Sequence, residues 1–175
     1  MIIGVVKMFD SHTTFIVATV ERYLESIGFN TQIIGYGNIK KYPAKKASGV
    51  SFSLAAKGNS AGIQYAILFY PTFAKTISAI HNTFETLLNQ NSPRATTLKS
   101  VLKQDDEYLF VFALMHEFGH IQHIIELNID DDMFFNSLSE FNSNPNNNFM
   151  YENYADQFSL KHSDEIYKLI CSKDE

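Results

Sequence analysis

Apolar residues recur along this chain at two spacings, and the points where one spacing gives way to the other mark out its elements. Phe15, Ile16, Val20, Tyr23, Leu24 and Ile27 keep to steps of three and four. Asp10 and Ser11 offer an N-cap before them and Gly28 a stop after them, so a first helix is predicted over about residues 11 to 27. Three short β-rich runs come next, Thr31 to Ile34, Val50 to Leu54 and Ile63 to Tyr70. Lys57-Gly58-Asn59-Ser60 between the last two is turn chemistry and predicts a hairpin within a small sheet. Pro71 ends the third run, and Thr72 can cap a helix beginning at the next residue. Phe73, Ile77, Ile80, Phe84, Leu87 and Leu88 then predict a second amphipathic helix, over about residues 72 to 90.

Asn91-Ser92-Pro93 breaks that helix, and a shorter helical piece holds Leu98, Val101 and Leu102. The acids Asp105, Asp106 and Glu107 suit the N-terminus of the next helix, Tyr108 to Leu127. Its segment Leu109 to Met115 is apolar nearly all round, which predicts burial in the domain centre rather than at a surface. A polar loop at 142 to 148 separates it from a further helical pattern, Phe149, Tyr151, Tyr154, Ala155, Phe158 and Leu160. Segregated strands and helices in 175 residues predict one α+β domain spanning residues 1 to 175.

Composition narrows the function. A hydrophobic fraction of 45% argues against disorder, and a net charge of -5 with 14 basic residues argues against nucleic acid as a direct partner. Lys40, Lys41, Lys45 and Lys46 surround Pro43 and read as a solvated loop. Ile2 to Val6 is too short for a signal-peptide core and no stretch reaches the length of a membrane span, so a cytoplasmic protein without a membrane partner is expected. The single cysteine, Cys171, comes after Ile166, Leu169 and Ile170 at helical spacing and is expected to be buried and structural. His12 and His81 stand apart from any motif and receive no role.

The chemistry concentrates in His116-Glu117-Phe118-Gly119-His120, an HExxH motif within the buried helix. Residues four apart on an α-helix project from one face about 6 Å apart along the axis, so both imidazoles can reach one tetrahedral metal. Glu117 lies one position round, where its carboxylate can serve as general base toward a water beside that metal, which is expected to be zinc. The competing reading is a chance pentapeptide in an ordinary helix. Against it stands the cost of placing polar groups in a helix apolar enough to be buried, about 1 to 3 kcal/mol for each unpaired group.

A third ligand is expected from Tyr151-Glu152-Asn153-Tyr154-Ala155-Asp156, where Glu152 and Asp156 share a helical face. Glu152 would meet the metal, and Asp156 would accept the outer ring hydrogen bond of a ligating histidine. The alternative for this pair is two solvated acids on a surface helix. His123 lies on a neighbouring face one turn along and is expected to support the site rather than ligate. A metzincin pattern would need glycine at 123 and histidine at 126, where this chain has His123 and Glu126. Tyr151, Tyr154 and His162 are candidates for stabilising an oxyanion. Asp130, Asp131 and Asp132 lack the pattern of a calcium loop and are expected to cap a helix.

The motif HEFGH, together with the later Glu152-x-x-Ala155-Asp156-x-Phe158, resembles the gluzincin zinc peptidases and in particular the ImmA/IrrE group. The resemblance covers chiefly residues 108 to 127 and 150 to 160. It implies a zincin-like fold, in which a small sheet packs on the active-site helix. It also implies zinc ligation by His116, His120 and Glu152 with Glu117 as base, and cleavage of a peptide or protein substrate such as a transcriptional regulator. Within such a fold, Ile63 to Tyr70 is expected to form the sheet edge that pairs with an extended substrate. The reading from another class is a zinc-bearing regulatory or interaction module that binds a partner without cleaving it.

Overall fold

The computed structural model describes residues 8–39, 53–57, 62–90, 92–128, 130, 133–134, 136 and 149–172. One carboxylate starts two of its helices. Asp10 Oδ1 accepts from the Thr13 backbone N–H at 2.8 Å and caps α1 (Ser11–Ser26). Its Oδ2 accepts from the Phe73 N–H at 2.7 Å, at the start of α2 (Phe73–Asn89). Thr72 occupies the N-cap position of α2 as expected, but its side chain makes no capping bond; Asp10 supplies it instead. α1 ends where Gly28 adopts a φ of +88°, the left-handed conformation that glycine reaches without a Cβ penalty.

Among the described residues three strands, β1 (Ile34–Asn38), β2 (Ser53–Lys57) and β3 (Tyr65–Phe69), form a sheet in the order β1-β3-β2. β3 runs parallel to β1 and antiparallel to β2. The expected hairpin is therefore present as an antiparallel β2–β3 pair, while its turn residues 58 to 60, like the basic loop at 40 to 46, lie outside the described residues. Two strand expectations need correction. Thr31–Ile33 forms a 3-10 turn capped by Asn30, and the strand starts at Ile34 and runs through Gly35-Tyr36-Gly37. Glycines carry no strand propensity, but a Cβ at Gly35 would come within 3.1 Å of the Ile63 side chain, so close packing explains at least that one. The second concerns the substrate edge: β3 is the central strand, buried at all of its positions and hydrogen-bonded on both sides, so it offers no free edge.

α3 (Ala95–Val101) leads to α4 (Asp106–Leu127), capped by the Asp105 carboxylate on Tyr108 N at 3.0 Å, with Asp106 and Glu107 in its first turn. Every residue from Tyr108 to Ile121 is buried, as the all-round apolar pattern predicts. A lattice of phenylalanines holds one side of this helix. Phe110 meets Phe69 of β3 at 5.8 Å and Phe73 of α2 at 5.5 Å, and Phe118 meets Phe29 at 5.4 Å.

The other side of α4 is covered by α5 (Phe149–Cys171). Tyr108 Oη donates to Asp164 at 2.9 Å, Ser159 Oγ to the Phe112 carbonyl at 2.6 Å, and His116 Nδ1 bonds Asp156 at 2.9 Å. Partner numbers fall on α5 as they rise on α4, so the two helices are antiparallel. They pack tightly at Gly119, where a Cβ would stand 2.8 Å from Ala155 Cα. Cys171, expected to be buried, is exposed: it sits one position round from the buried Ile170 in the last turn of α5. Asp130 caps as expected, its Oδ1 accepting from Met133 N at 3.0 Å, while Asp131 and Asp132 lie outside the described residues, as does the polar loop at 142 to 148. Among the described residues no helix is long and apolar enough to cross a membrane.

The helix contact and the shared cap can each be tested by substitution. Gly119→Ala places a methyl against backbone, and overpacking of this kind costs about 1 to 3 kcal/mol. Urea unfolding of the variant should show that loss, and wild-type stability would mean that α5 moves freely. Asp10→Ala removes two caps at once and should cost about 2 kcal/mol at neutral pH. Partial burial opposes ionisation of Asp10, but the bonds from Thr13 and Phe73 outweigh it and hold its carboxyl below the ordinary 3.8. Its contribution is therefore present above that value and lost as pH falls below it, so the gap between wild type and variant should close in acid.

Candidate metal centre

Two turns of α4 and two of α5 face each other across the Gly119 contact, and the polar residues of both helices meet there. His116, His120 and Glu152 are all buried and present one donor atom each within 4.8 Å of one another. His116 Nε2 lies 3.2 Å from Glu152 Oε2, and His120 Nε2 lies 3.5 Å from Glu152 Oε1. Donors at zinc–ligand distances around a tetrahedral ion stand about 3.3 Å apart, so three donors within 4.8 Å of one another could hold a metal ion. The two imidazoles have centroids 4.6 Å apart with planes at 83°, which lets both aim Nε2 at one point.

Asp156, one turn beyond Glu152 on α5, accepts from His116 Nδ1 at 2.9 Å. A proton held on Nδ1 leaves the Nε2 lone pair free for a metal, the tautomer a ligand needs. Phe134 packs against the ring of His120 at 5.5 Å and closes one wall. Glu117 is buried beside the pair and contributes to the field at the Arg94 guanidinium.

Arg94 is the residue that sequence reasoning missed. It sits just before α3, is 7% exposed, and binds both acids of α5. Nε and Nη2 bond the two oxygens of Asp156 at 2.8 and 2.6 Å, and Nη1 bonds Glu152 Oε2 at 2.7 Å. Nη2 also stands 3.3 Å from His116 Nδ1, because both donate to the same Asp156 oxygen. One signal was available. Only two of the 14 basic residues are arginine, and a planar fork suits buried carboxylates better than lysine does.

The electrostatics fit a divalent ion. With His116 neutral, as a metal ligand must be, Glu117, Glu152 and Asp156 carry three formal negative charges and Arg94 one positive, leaving an interior site two charges short of neutral. Burial and the Arg94 charge both disfavour a proton on His116, yet the Glu152 and Asp156 carboxylates outweigh them and raise it to about 9. Burial pushes Glu152 up, but Arg94 and His116 hold it well below the usual carboxylate range. Asp156 shows the same pattern less strongly. The cluster thus attracts positive charge, as a proton or as a metal.

The other expected residues are placed elsewhere. Tyr154 stacks on His123 at 4.1 Å and donates its hydroxyl to Glu126, turned away from the cluster. His162 bonds Tyr23 Oη through Nδ1 at 2.8 Å and lies about 15 Å along the α5 axis from Glu152, too far to act on a carbonyl held there. Neither is brought to the site as an oxyanion stabiliser, because α5 turns Tyr154 and carries His162 out of reach. Tyr151 packs its ring against Phe134 at 5.3 Å and against His123. His123 is buried among these rings and is not part of the donor group. His12 and His81 pair with Glu107 and Asp106 at the exposed start of α4.

No protein-family model matches the chain, and neither a curated protein nor a solved structure matches it. What the fold and geometry define is an α+β protein with a buried His-His-Glu group able to hold a metal ion. A divalent ion that binds only the folded state raises stability by about 2.7 kcal/mol at 100 times its Kd. Thermal melts with and without zinc should show the increment in wild type and none in His120→Ala. A wild-type melting temperature indifferent to zinc and cobalt would remove the metal centre.

Proposed function

We propose that this chain is a zinc-dependent peptidase with a zincin-like fold, similar to the gluzincins and to the ImmA/IrrE group among them. The observation that carries the reading is the convergence of His116 and His120 Nε2 on one buried carboxylate, with Glu117 on the same turn of helix. A set of two imidazoles and one carboxylate is the ligand chemistry of catalytic zinc, which keeps a coordination position open. Zinc held by His116, His120 and Glu152 would supply Lewis acidity toward the scissile carbonyl and the attacking water.

The protein's own groups do the rest. Asp156 orients His116, and Arg94 and Asp156 together fix the α5 acids against α4. Glu117 takes the proton of the attacking water and delivers it to the leaving amine. The substrate is a peptide or protein, for which a transcriptional regulator in the cytoplasm is the candidate the family likeness suggests. Since β3 is internal, a pairing edge for an extended substrate falls to an outer strand, β1 or β2.

Glu117→Gln keeps the three ligands and removes the base. It should retain wild-type zinc content while hydrolysis of a proteome-derived peptide library, read by mass spectrometry, falls about 10²- to 10⁴-fold. Equal rates in the two proteins would end the role given to Glu117. Zinc binding with no cleavage by either, and stoichiometric capture of a protein, would assign the chain as a binding module.

A further inference from the structure

Arg94 does more than neutralise charge. Its guanidinium spans three carboxylate oxygens on two successive turns of α5, both oxygens of Asp156 and Glu152 Oε2, at 2.6 to 2.8 Å. A planar fork in this position fixes the offset between the two acids, which a lysine ammonium cannot do. The one oxygen of the pair that it leaves is Glu152 Oε1, which faces His120 Nε2 at 3.5 Å.

We propose that Arg94 is a positioning residue of the metal centre: by holding Glu152 Oε2 and Asp156, it presents Glu152 to the ion through Oε1 alone. The inference rests on the metal-centre reading above. Single-oxygen ligation limits the protein to three donor atoms and keeps the remaining coordination position for water and substrate. The same guanidinium locks the Asp156 oxygen that orients His116, so two of the three ligands depend on one side chain.

Charge and position make opposite predictions for its removal. An added positive charge repels a cation, so on charge alone the protein without Arg94 would bind a metal more tightly. Position works the other way: without the fork, Oε2 is released, and the Glu152 carboxylate loses the fixed orientation that presents Oε1 to the ion. Losing a partner that orients a metal ligand weakens binding about 10- to 100-fold, and that is the direction expected here.

The test is titration of metal-free wild type, Arg94→Gln and Arg94→Lys with cobalt(II), and then displacement with zinc. Arg94→Gln should bind cobalt about 10- to 100-fold more weakly. Its visible absorption should fall at least about twofold below the intense wild-type band of a four-coordinate ion, as Glu152 turns both oxygens to the metal. Arg94→Lys keeps the charge without the fork and should fall between. An unchanged spectrum in the variants, or affinity equal to or above wild type, overturns the proposal even where the melting temperature drops. Should neither variant fold, X-ray absorption at the zinc edge of the loaded wild type decides: one carboxylate oxygen supports the proposal and two overturn it. Wild type that takes up neither metal is a different result and removes the metal centre itself.

Discussion

Four formal charges meet in the interior between α4 and α5, three of them negative, and that imbalance governs the arrangement of everything around them. Carboxylates in a low-dielectric interior are tolerated only when paired and hydrogen-bonded. Arg94 meets part of the demand, binding Asp156 in bidentate fashion and Glu152 through one oxygen. His116 meets another part, sandwiched between the same two acids at 2.9 and 3.2 Å. There remains a buried deficit of positive charge at a point where two imidazole nitrogens also aim. A metal cation held there would meet both conditions at once.

That deficit could not be maintained on a loose scaffold. α4 is clamped on one side by phenylalanines from β3, α2 and the segment after α1, and every residue from Tyr108 to Ile121 is buried. Packing of this kind at crystal-like density leaves the two histidines no freedom to retreat from the charge. The sheet and α2 thus act on the site through α4, by making it a fixed reference against which α5 is measured.

The parts of this architecture that rest on periodicity were legible in the sequence. Steps of three and four place α1, α2 and α4 within a few residues, and HExxH announces two nitrogens on one face because helical geometry leaves little choice. The α5 acids were legible for the same reason, Glu152 and Asp156 being four residues apart. Features that periodicity does not encode were lost. β1 is built on Gly35 and Gly37, whose packing value appears only when Ile63 is seen above the first of them. The position of β3 in the middle of the sheet depends on which strands it pairs with, and a local hydrophobic run carries no such information. Arg94 lies 62 residues from its Asp156 partner, so its role is a property of the fold, not of any window of sequence.

Tyr154, His123 and His162 show why chemically capable residues need not do chemistry. The α4–α5 pair must hold its register, since a slip of one turn would carry Glu152 about 5.4 Å past the histidines and dissolve the donor set. Gly119 against Ala155 lets the helices pack tightly but, being a smooth contact, resists sliding poorly. Resistance comes from polar locks on either side of it. Tyr108 with Asp164 and Ser159 with the Phe112 carbonyl fix one end. At the other end His123 stacks on Tyr154 and Tyr154 reaches on to Glu126. The Tyr23–His162 bond ties α5 to α1 as well. Directional hydrogen bonds at both ends and a glycine contact between them make the register a discrete choice, and a ligand contributed by a second helix is only as precise as that choice.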